Sequence, residues 1–245
     1  MLFPYDELRC GSLSLSNGGV FTVYSGPSAM TSDAYGAYAK VDGCLTIASN
    51  SWIYLWSSPT NGGSALFRVG ALSIAAGGGG YGGAGGPGVS GVGGGTYGIS
   101  NAPVWPGSGG ASGWDSRAGN GGGAVRIMAD SRVTIDGLVS ASGDNTLDHG
   151  GGGSGGSIWI ECMTLTGATT GVVRANGGTG LCPANGSQYT GGGGGGGRIA
   201  FRAGYYRQLW TPTVAGALGS NTVYAGDGTI VLMFQPPSGS VFFVR

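Results

Sequence analysis

The chain has 245 residues, of which 58 are glycine and only 9% are charged, with 11 acidic and 11 basic side chains. This neutral balance provides no basic patch for phosphate groups, so the composition excludes a nucleic-acid-binding protein. Hydrophobic residues still make up 40% of the chain, and the near-zero net charge offers little electrostatic protection against self-association.

Alternating apolar segments at the beginning of the chain predict β-strands. Residues 12–16 and 20–24 alternate on either side of Asn17-Gly18-Gly19, a pattern that predicts a hairpin. Residues 44–56 continue with β-branched and aromatic side chains, which also favour strands. No segment shows a convincing helical period, so the sequence predicts an all-β protein.

Three aromatic residues of the 44–56 segment, Trp52, Tyr54 and Trp56, alternate and therefore share one face of the predicted strand. Such a face can stack on sugars, contact another subunit or belong to the core. Tyr205 and Tyr206 form a second aromatic cluster, with Trp210, behind the last glycine run.

A repeat follows the glycine-rich tract at 77–124. Segments 122–144 and 155–178 share one plan: two glycines, an alternating strand, a second strand, and a closing Gly-x-Val-x-Ala-x-Gly, at a step of 34 residues from Gly143 to Gly177. Short strands that recur between turns, none able to bury its own face, predict stacked coils. The predicted fold is an all-β, Gly-rich parallel β-solenoid, and the alternative is a β-sandwich with long Gly-rich loops.

Seven consecutive glycines at 191–197 lead directly into a strand. Ordering a residue costs roughly 1–2 kcal/mol of backbone entropy, and glycine loses the most. Runs in polyproline-II-like form can recover this cost by packing closely side by side, as glycine does in collagen. We expect the runs at 77–80, 121–123, 150–156 and 191–197 to lie together; flexible linkers are the alternative.

The pattern "GGGGSGGSIWIECMTLTG…GVVRANGGTG…GGGGGGGRIAF" at 150–201 resembles the Gly-rich β-helical repeats of large surface and secreted proteins of bacteria and protists. The resemblance covers about residues 62–203. It implies an extracellular repeat with a structural or adhesive role, and it supplies no catalytic residues. The chain then divides into an N-terminal β segment (1–61), the repeat region (62–203) and C-terminal strands (204–245). Cys162, Cys182 and the insert at 81–120 depart from the repeat.

The four cysteines are Cys10, Cys44, Cys162 and Cys182. They allow three disulfide connectivities, of which Cys10–Cys44 with Cys162–Cys182 is preferred; four buried free thiols are the alternative. The single sequon, Asn185-Gly186-Ser187, permits a glycan on Asn185. Asp6 and Glu7 occupy positions where a signal peptide would be apolar, and no apolar run approaches the ~18 residues of a membrane span.

Motifs for catalysis are weak. Residues 152–156 satisfy Gly-x-Ser-x-Gly but lack the flanking strand and helix of a nucleophile elbow. The only histidine is His149; the nearby oxygen ligands Asp144, Asn145 and Asp148 lack the full calcium-loop pattern. Asp136 and Glu161 are the candidate carboxylates for glycoside hydrolysis. The sequence predicts no catalytic residue, no metal site, no cofactor and no enzyme.

The last two apolar strands favour assembly. Residues 229–234 are continuously apolar after Thr229, and Val241, Phe242 and Phe243 follow near the end. An exposed strand edge pairs readily with another chain, and head-to-tail pairs that do not close form filaments; the alternative is that both strands complete the subunit's own sheet. The sequence predicts an extracellular or cell-surface structural protein that forms a homo-oligomeric fibre, filament or sheath. A surface adhesin or glycan-binding module is the alternative function, and a polysaccharide-degrading β-helix enzyme is the third.

Overall fold

The computed structural model describes residues 7–25, 37–57, 76–89, 91–112, 118–146, 149–180, 191–219 and 223–236. These residues form strands and no helix. The strands are β1 (Glu7–Cys10), β2 (Leu13–Leu15), β3 (Val20–Ser25), β4 (Ala37–Val41), β5 (Leu45–Ile47), β6 (Trp52–Ser57), β7 (Ala124–Ile135), β8 (Leu138–Ser140), β9 (Ser157–Gly167), β10 (Val172–Arg174), β11 (Arg198–Gln208) and β12 (Thr229–Phe234).

The strands form two sheets, and all pairs between named strands are parallel. The larger sheet has eight strands in the order β1-β4-β7-β9-β11-β12, with β5 joining β2 to the distal half of β7. The smaller sheet has the order β10-β8-β6-β3. A bulge between Ala129 and Arg132 of β7 shifts the register with β9, so β7 pairs with β9 in two stretches.

The core lies between the inner faces of the two sheets. Side chains alternate along the strands, and those on the inner faces are almost completely buried, as the column Ala39, Ile127, Ile160 and Phe201 illustrates. The small sheet contributes Ile53, Val139 and Val173 in register. Because the residues directly opposite are apolar in strand after strand, the core is continuous across both sheets.

The glycine runs at 77–80, 121–123, 150–156 and 191–197 pack together into a second region, called here the glycine body, which is held together by backbone hydrogen bonds. Residues 191–197 are all buried, and their amides donate to carbonyl oxygens of several other segments: Gly192 to Ala76, Gly194 to Gly178, Gly195 to Gly79 and Gly196 to Gly226, at 2.8–2.9 Å. A Cβ placed on any of these four residues would overlap the backbone of a neighbouring segment. Bare backbone is therefore required here.

The predicted β-solenoid is wrong, and so is the alternative β-sandwich. The described strands instead form two parallel sheets of eight and four strands, and the larger one branches at β7, which pairs with both β4 and β5. The repeat that suggested uniform coils is real locally, because Val173 of β10 lies opposite Val139 of β8. The similar strand sequences determine which side chains face the core. They do not determine the path of the segments between the strands, which differ in length and here form the glycine body.

The hairpin predicted for residues 12–24 is also wrong. β2 pairs with β5 in the large sheet, whereas β3 pairs with β6 in the small sheet. Asn17 and Gly18 have φ angles of 54° and 80°, and this left-handed turn redirects the chain from one sheet to the other. Each strand finds its hydrogen-bond partner in a distant segment.

The three sequence segments share these sheets. β4 and β5 of the 1–61 segment pair with β7 of the repeat region, and β12 of the 204–245 segment pairs with β11. Among the described residues there is no helix with the length and apolar character needed to cross a membrane.

Candidate functional site

The last strand of the large sheet leaves apolar side chains uncovered. Within the described part of the chain, β12 pairs only with β11. Ile230, Leu232 and Phe234 continue the inner face, opposite the buried Ile199, Phe201 and Ala203. Leu232 and Phe234 are nevertheless 58% and 63% exposed. The core therefore ends at β12 in an apolar face that no described residue covers.

The backbone of β12 also has a free edge. The amides of Thr229 and Gln235 donate to the carbonyl oxygens of Gly197 and Ala203, so the odd-numbered residues face β11. Alternate residues of a strand direct their N–H and C=O groups to opposite edges. The backbone groups of Ile230, Leu232 and Phe234 consequently point away from the sheet, and such an edge is a template for another strand.

The opposite end of the large sheet also has partly uncovered apolar side chains and a free backbone edge. β1 pairs only with β4, and β2 only with β5, among the described residues. Leu8, Cys10, Leu13 and Leu15 pack on the core but remain half-buried. The amide of Asp42 donates to the carbonyl oxygen of Cys10 at 2.9 Å, so the Leu8 and Cys10 backbones face β4, and those of their odd-numbered neighbours face the free edge.

The two ends match in strand direction and in register. One inner column begins at Leu8 and ends at Leu232, and the next begins at Cys10 and ends at Phe234. If β1 of a second subunit paired with β12, both columns would continue across the joint. The outward-facing backbone groups of Leu232 would then meet those of Glu7 and Arg9, as in any parallel ladder.

The predicted contact residues Trp52 and Tyr54 lie on the outer face of the small sheet. Both are half-buried and alternate with the buried Ile53 and Leu55. Trp52 stands in a row of apolar side chains that crosses the four strands, Val20–Trp52–Leu138–Val172. Trp56 belongs to β6 and pairs with Tyr24 through the backbone, but its side chain lies outside the described part of the structure.

The second aromatic cluster separates in the structure. Tyr205 is half exposed on the outer face of β11. Trp210 is buried: its ring is tilted against that of Phe201 with the centroids 5.8 Å apart, and its indole N–H donates to the carbonyl oxygen of Ile135. The Tyr206 hydroxyl contacts the backbone of Phe201 and Met233, and burial raises its pKa. Only Tyr205 is therefore available to a ligand.

The two candidate carboxylates do not meet. Glu161 lies opposite Met128 on β7, and Asp136 follows the far end of the same strand, roughly 20 Å or more away at 3.3 Å per residue. Glycoside hydrolysis needs carboxyl groups about 5–10 Å apart. Glu161 accepts two hydrogen bonds from Arg126 and forms an ion pair with Arg202. The Asp136 carboxylate accepts a hydrogen bond from the amide of Ala168. Both carboxylates therefore bind groups of neighbouring strands or turns.

Most of the remaining polar candidates have hydrogen-bond partners within the protein. The Asp144 carboxylate accepts a hydrogen bond from Asn120, and burial raises its pKa; the Asn145 amide oxygen accepts one from the amide of Thr179. Ser154 is buried in the glycine body, where its hydroxyl bonds to the backbone of Ser108. His149 is half-buried. The described residues contain no group of three or more metal-ligating side chains, and Asp148 falls outside them.

The thiols of Cys10, Cys44 and Cys162 are free, so the preferred Cys10–Cys44 bridge is not formed. Cys162 is buried among the core side chains, and this burial raises its pKa to about 12. Cys182, the sequon residue Asn185, and the predicted contact residues Val241, Phe242 and Phe243 lie outside the described residues, so these predictions stand as they were made.

Sequence reasoning missed the half-buried residues of the first strands, Leu8, Leu13 and Leu15, because their short alternating pattern is typical of any strand. It also missed the outer-face pair Arg132 and Arg207, which have no distinctive motif around them. The chain matches no protein-family model, and neither a curated protein nor a solved structure is similar to it.

Proposed function

We propose that this protein is a structural subunit that assembles head to tail into a filament at the cell surface or outside the cell. The extracellular setting rests on the resemblance of the Gly-rich repeats alone. The assembly itself rests on the two free ends of the large sheet.

The observation that carries the proposal is the match between β12 and β1. Leu232 and Phe234 extend the inner face beyond β11, the last strand whose inner side chains are covered. Leu8 and Cys10 stand at the other end of the same two columns, where they are half-buried. Pairing these edges would bury apolar surface and satisfy backbone groups together. The contact joins two different surfaces, so it repeats head to tail, and it produces a filament when the rotation between neighbouring subunits does not close a ring.

The glycine body supplies the stiffness that such a subunit needs. Gly79 and Gly195 lie in segments far apart in the sequence, yet their backbones are joined by a hydrogen bond of 2.8 Å. Many such bonds, with no side chains between the runs, leave little room for bending because close-packed interiors are not compressible. A rigid subunit transmits its geometry from one joint to the next.

Sedimentation velocity and negative-stain electron microscopy test the proposal. The wild-type chain should elongate as its concentration rises, and Leu232→Asp should remain a single subunit because it places a charge in the buried joint. Leu209→Asp is the matched control, since Leu209 is 71% exposed but lies outside β12. A monomeric wild type, or equal elongation of Leu232→Asp, would refute the assembly.

A further inference from the structure

A groove on the outer face of the large sheet combines cationic, hydroxyl and aromatic side chains. It has a volume of about 420 Å³ and is lined by Arg132, Thr164, Thr166, Tyr205 and Arg207. The groove lies across the middle strands β7, β9 and β11, away from the two ends that the proposed assembly uses. It therefore stands independently of that proposal.

The strand register explains why these five side chains converge. Thr164 lies between Arg132 and Tyr205 in one row, and Thr166 lies opposite Arg207 in the next. The intervening Val133 and Leu165 are completely buried on the inner face, so the lining residues project outward. The register shift between Ala129 and Arg132 places Arg132 opposite Thr164 and Val133 opposite Leu165, so the outward-facing residues of the three strands stand in common rows.

The charge of the groove is positive and is not neutralised within the described part of the chain. Arg126 and Arg202 on the same face share the carboxylate of Glu161. Neither Arg132 nor Arg207 forms an ion pair there. The acids nearest in sequence along β7 are Asp130 and Asp136, and the Asp136 carboxylate accepts the amide hydrogen of Ala168. The two guanidinium groups are available to an anion.

The remaining lining residues define the rest of the ligand. Tyr205 is 50% exposed, and the Arg207 guanidinium lies 6.0 Å from its ring centroid. An exposed aromatic ring offers an apolar surface with a polar edge, which can pack against the C–H face of a sugar. The hydroxyl groups of Thr164 and Thr166 both donate and accept hydrogen bonds, as the hydroxyl groups of a sugar require. The open shape suits a chain that lies across the sheet rather than an enclosed small molecule.

We infer that this groove binds an acidic glycan. Its carboxylate or sulfate groups pair with Arg132 and Arg207, where the planar guanidinium fork gives a bidentate contact. A sugar ring packs on Tyr205, which shares a row with Arg132 and a strand with Arg207. Arg132 and Tyr205 are two strands apart, about 10 Å at the usual strand spacing, so one bound segment spans more than one sugar. Two cations are too few for a nucleic-acid backbone, whose binding needs many phosphate contacts.

Isothermal titration calorimetry with four probes tests the site: tetragalacturonate for carboxylate, a sulfated dextran oligosaccharide for sulfate, neutral maltotetraose, and inorganic sulfate. At least one acidic oligosaccharide should bind, more tightly than the neutral and inorganic probes, and which one binds identifies the charged group. Equal binding of inorganic sulfate would reduce the groove to a simple anion site. Absence of binding by both acidic oligosaccharides would overturn the inference.

Three variants connect the binding to the groove. Arg132→Gln and Arg207→Gln should each weaken binding about tenfold, the usual effect of losing one charged hydrogen-bonded contact. Tyr205→Ala should weaken it as well. Lys40→Gln removes the same charge from the same sheet face and should leave binding within about twofold. If Lys40→Gln weakens binding as much as Arg132→Gln, the attraction is a general property of the surface and the groove is not a site.

Discussion

The amide nitrogen of Gly195 lies 2.8 Å from the carbonyl oxygen of Gly79, and the carbonyl oxygen of Gly195 accepts a hydrogen bond from Gly155 at 2.9 Å. A single glycine thus joins three separate runs. The contact is possible because no side chain stands between the backbones, and it shows how ordered polyglycine is compensated in this molecule: the entropy lost on folding is offset by backbone hydrogen bonds between runs.

Adding one methyl group to this body should be strongly destabilising. Gly194→Ala would place a Cβ against the carbonyl oxygen of Gly153, where two backbones must move apart. Overpacking of a tight interior typically costs about 1–3 kcal/mol, and we expect about 3 kcal/mol or more here because the Cβ meets backbone atoms. Urea denaturation checks the value. Gly95→Ala is the control because a Cβ there meets no atom within 4 Å; equal losses for both variants would contradict the close packing of the runs.

The Glu161 carboxylate should contribute more to stability than an exposed carboxylate does. It is buried on the outer face of β9 and contacts Arg126 at 2.6 Å and Arg202 at 3.7 Å. Glu161→Gln should lower the free energy of unfolding by about 1–3 kcal/mol, because it removes charged hydrogen bonds from a desolvated site. Asp42→Asn, which affects an exposed pair with Lys40, should change it less. Thermal and urea unfolding compare the two variants, and the reverse order would be incompatible with this account.

Burial of Tyr81 should make the protein sensitive to alkali. Tyr81 is completely buried, its hydroxyl lies 2.6 Å from that of Ser157, and burial raises its pKa to about 12. An unfolded tyrosine ionises near pH 10. Between these values the unfolded state loses a proton that the folded state keeps, so stability is intact below pH 10 and falls by up to about 1.4 kcal/mol per pH unit toward pH 12.

The alkaline loss should be smaller in Tyr81→Phe, whose unfolded state has one phenol fewer to ionise. Urea titrations at pH 8, 10 and 11.5 provide the measurement. Tyr224→Phe is the control, since Tyr224 is 70% exposed, and it should retain the wild-type slope. Identical slopes for all three proteins would show that Tyr81 ionises as easily in the folded protein as outside it.

The cysteines should differ widely in their rate of alkylation. Cys44 is exposed, whereas Cys162 is buried with a pKa raised to about 12 by that burial, and only the thiolate reacts. Iodoacetamide at pH 8 should modify Cys44 within minutes and leave Cys162 unmodified until the chain unfolds. Mass spectrometry of timed samples provides the measurement. Rapid modification of Cys162 in the folded protein would contradict its place in the core.

Part of this architecture could be predicted from the sequence. Alternation identified the inner residues Ile127 and Ile160, because a strand with one buried face needs a period of two. The entropic cost of Gly191–Gly197 indicated that these residues must gain close backbone contacts, and they do. The individual hydrogen-bond partners within the runs could not be predicted, since glycine carries no side-chain information about its neighbour.

The sheet arrangement and the sites depend on long-range pairing that local patterns do not contain. Asn17-Gly18 suggested a hairpin, but the parallel partners of β2 and β3 lie in distant segments. Arg132, Thr164 and Tyr205 are unremarkable in sequence and become neighbours only through the register of three strands. The aromatic residues Trp52 and Tyr54 were assigned to one face because that inference needs only the alternation within one strand.

Disulfide trapping tests the head-to-tail joint most directly. In the proposed joint Phe234 lies opposite Cys10 of the next subunit on the inner face, and paired parallel strands have the Cα separation that a disulfide requires. Phe234→Cys should therefore form a ladder of covalent oligomers under mild oxidation, which Cys10→Ser or a reductant abolishes. Met233→Cys, which faces outward beside Arg9, should form few such cross-links. A Phe234→Cys protein that yields no Cys10-dependent ladder, or one no stronger than that of Met233→Cys, would contradict the joint.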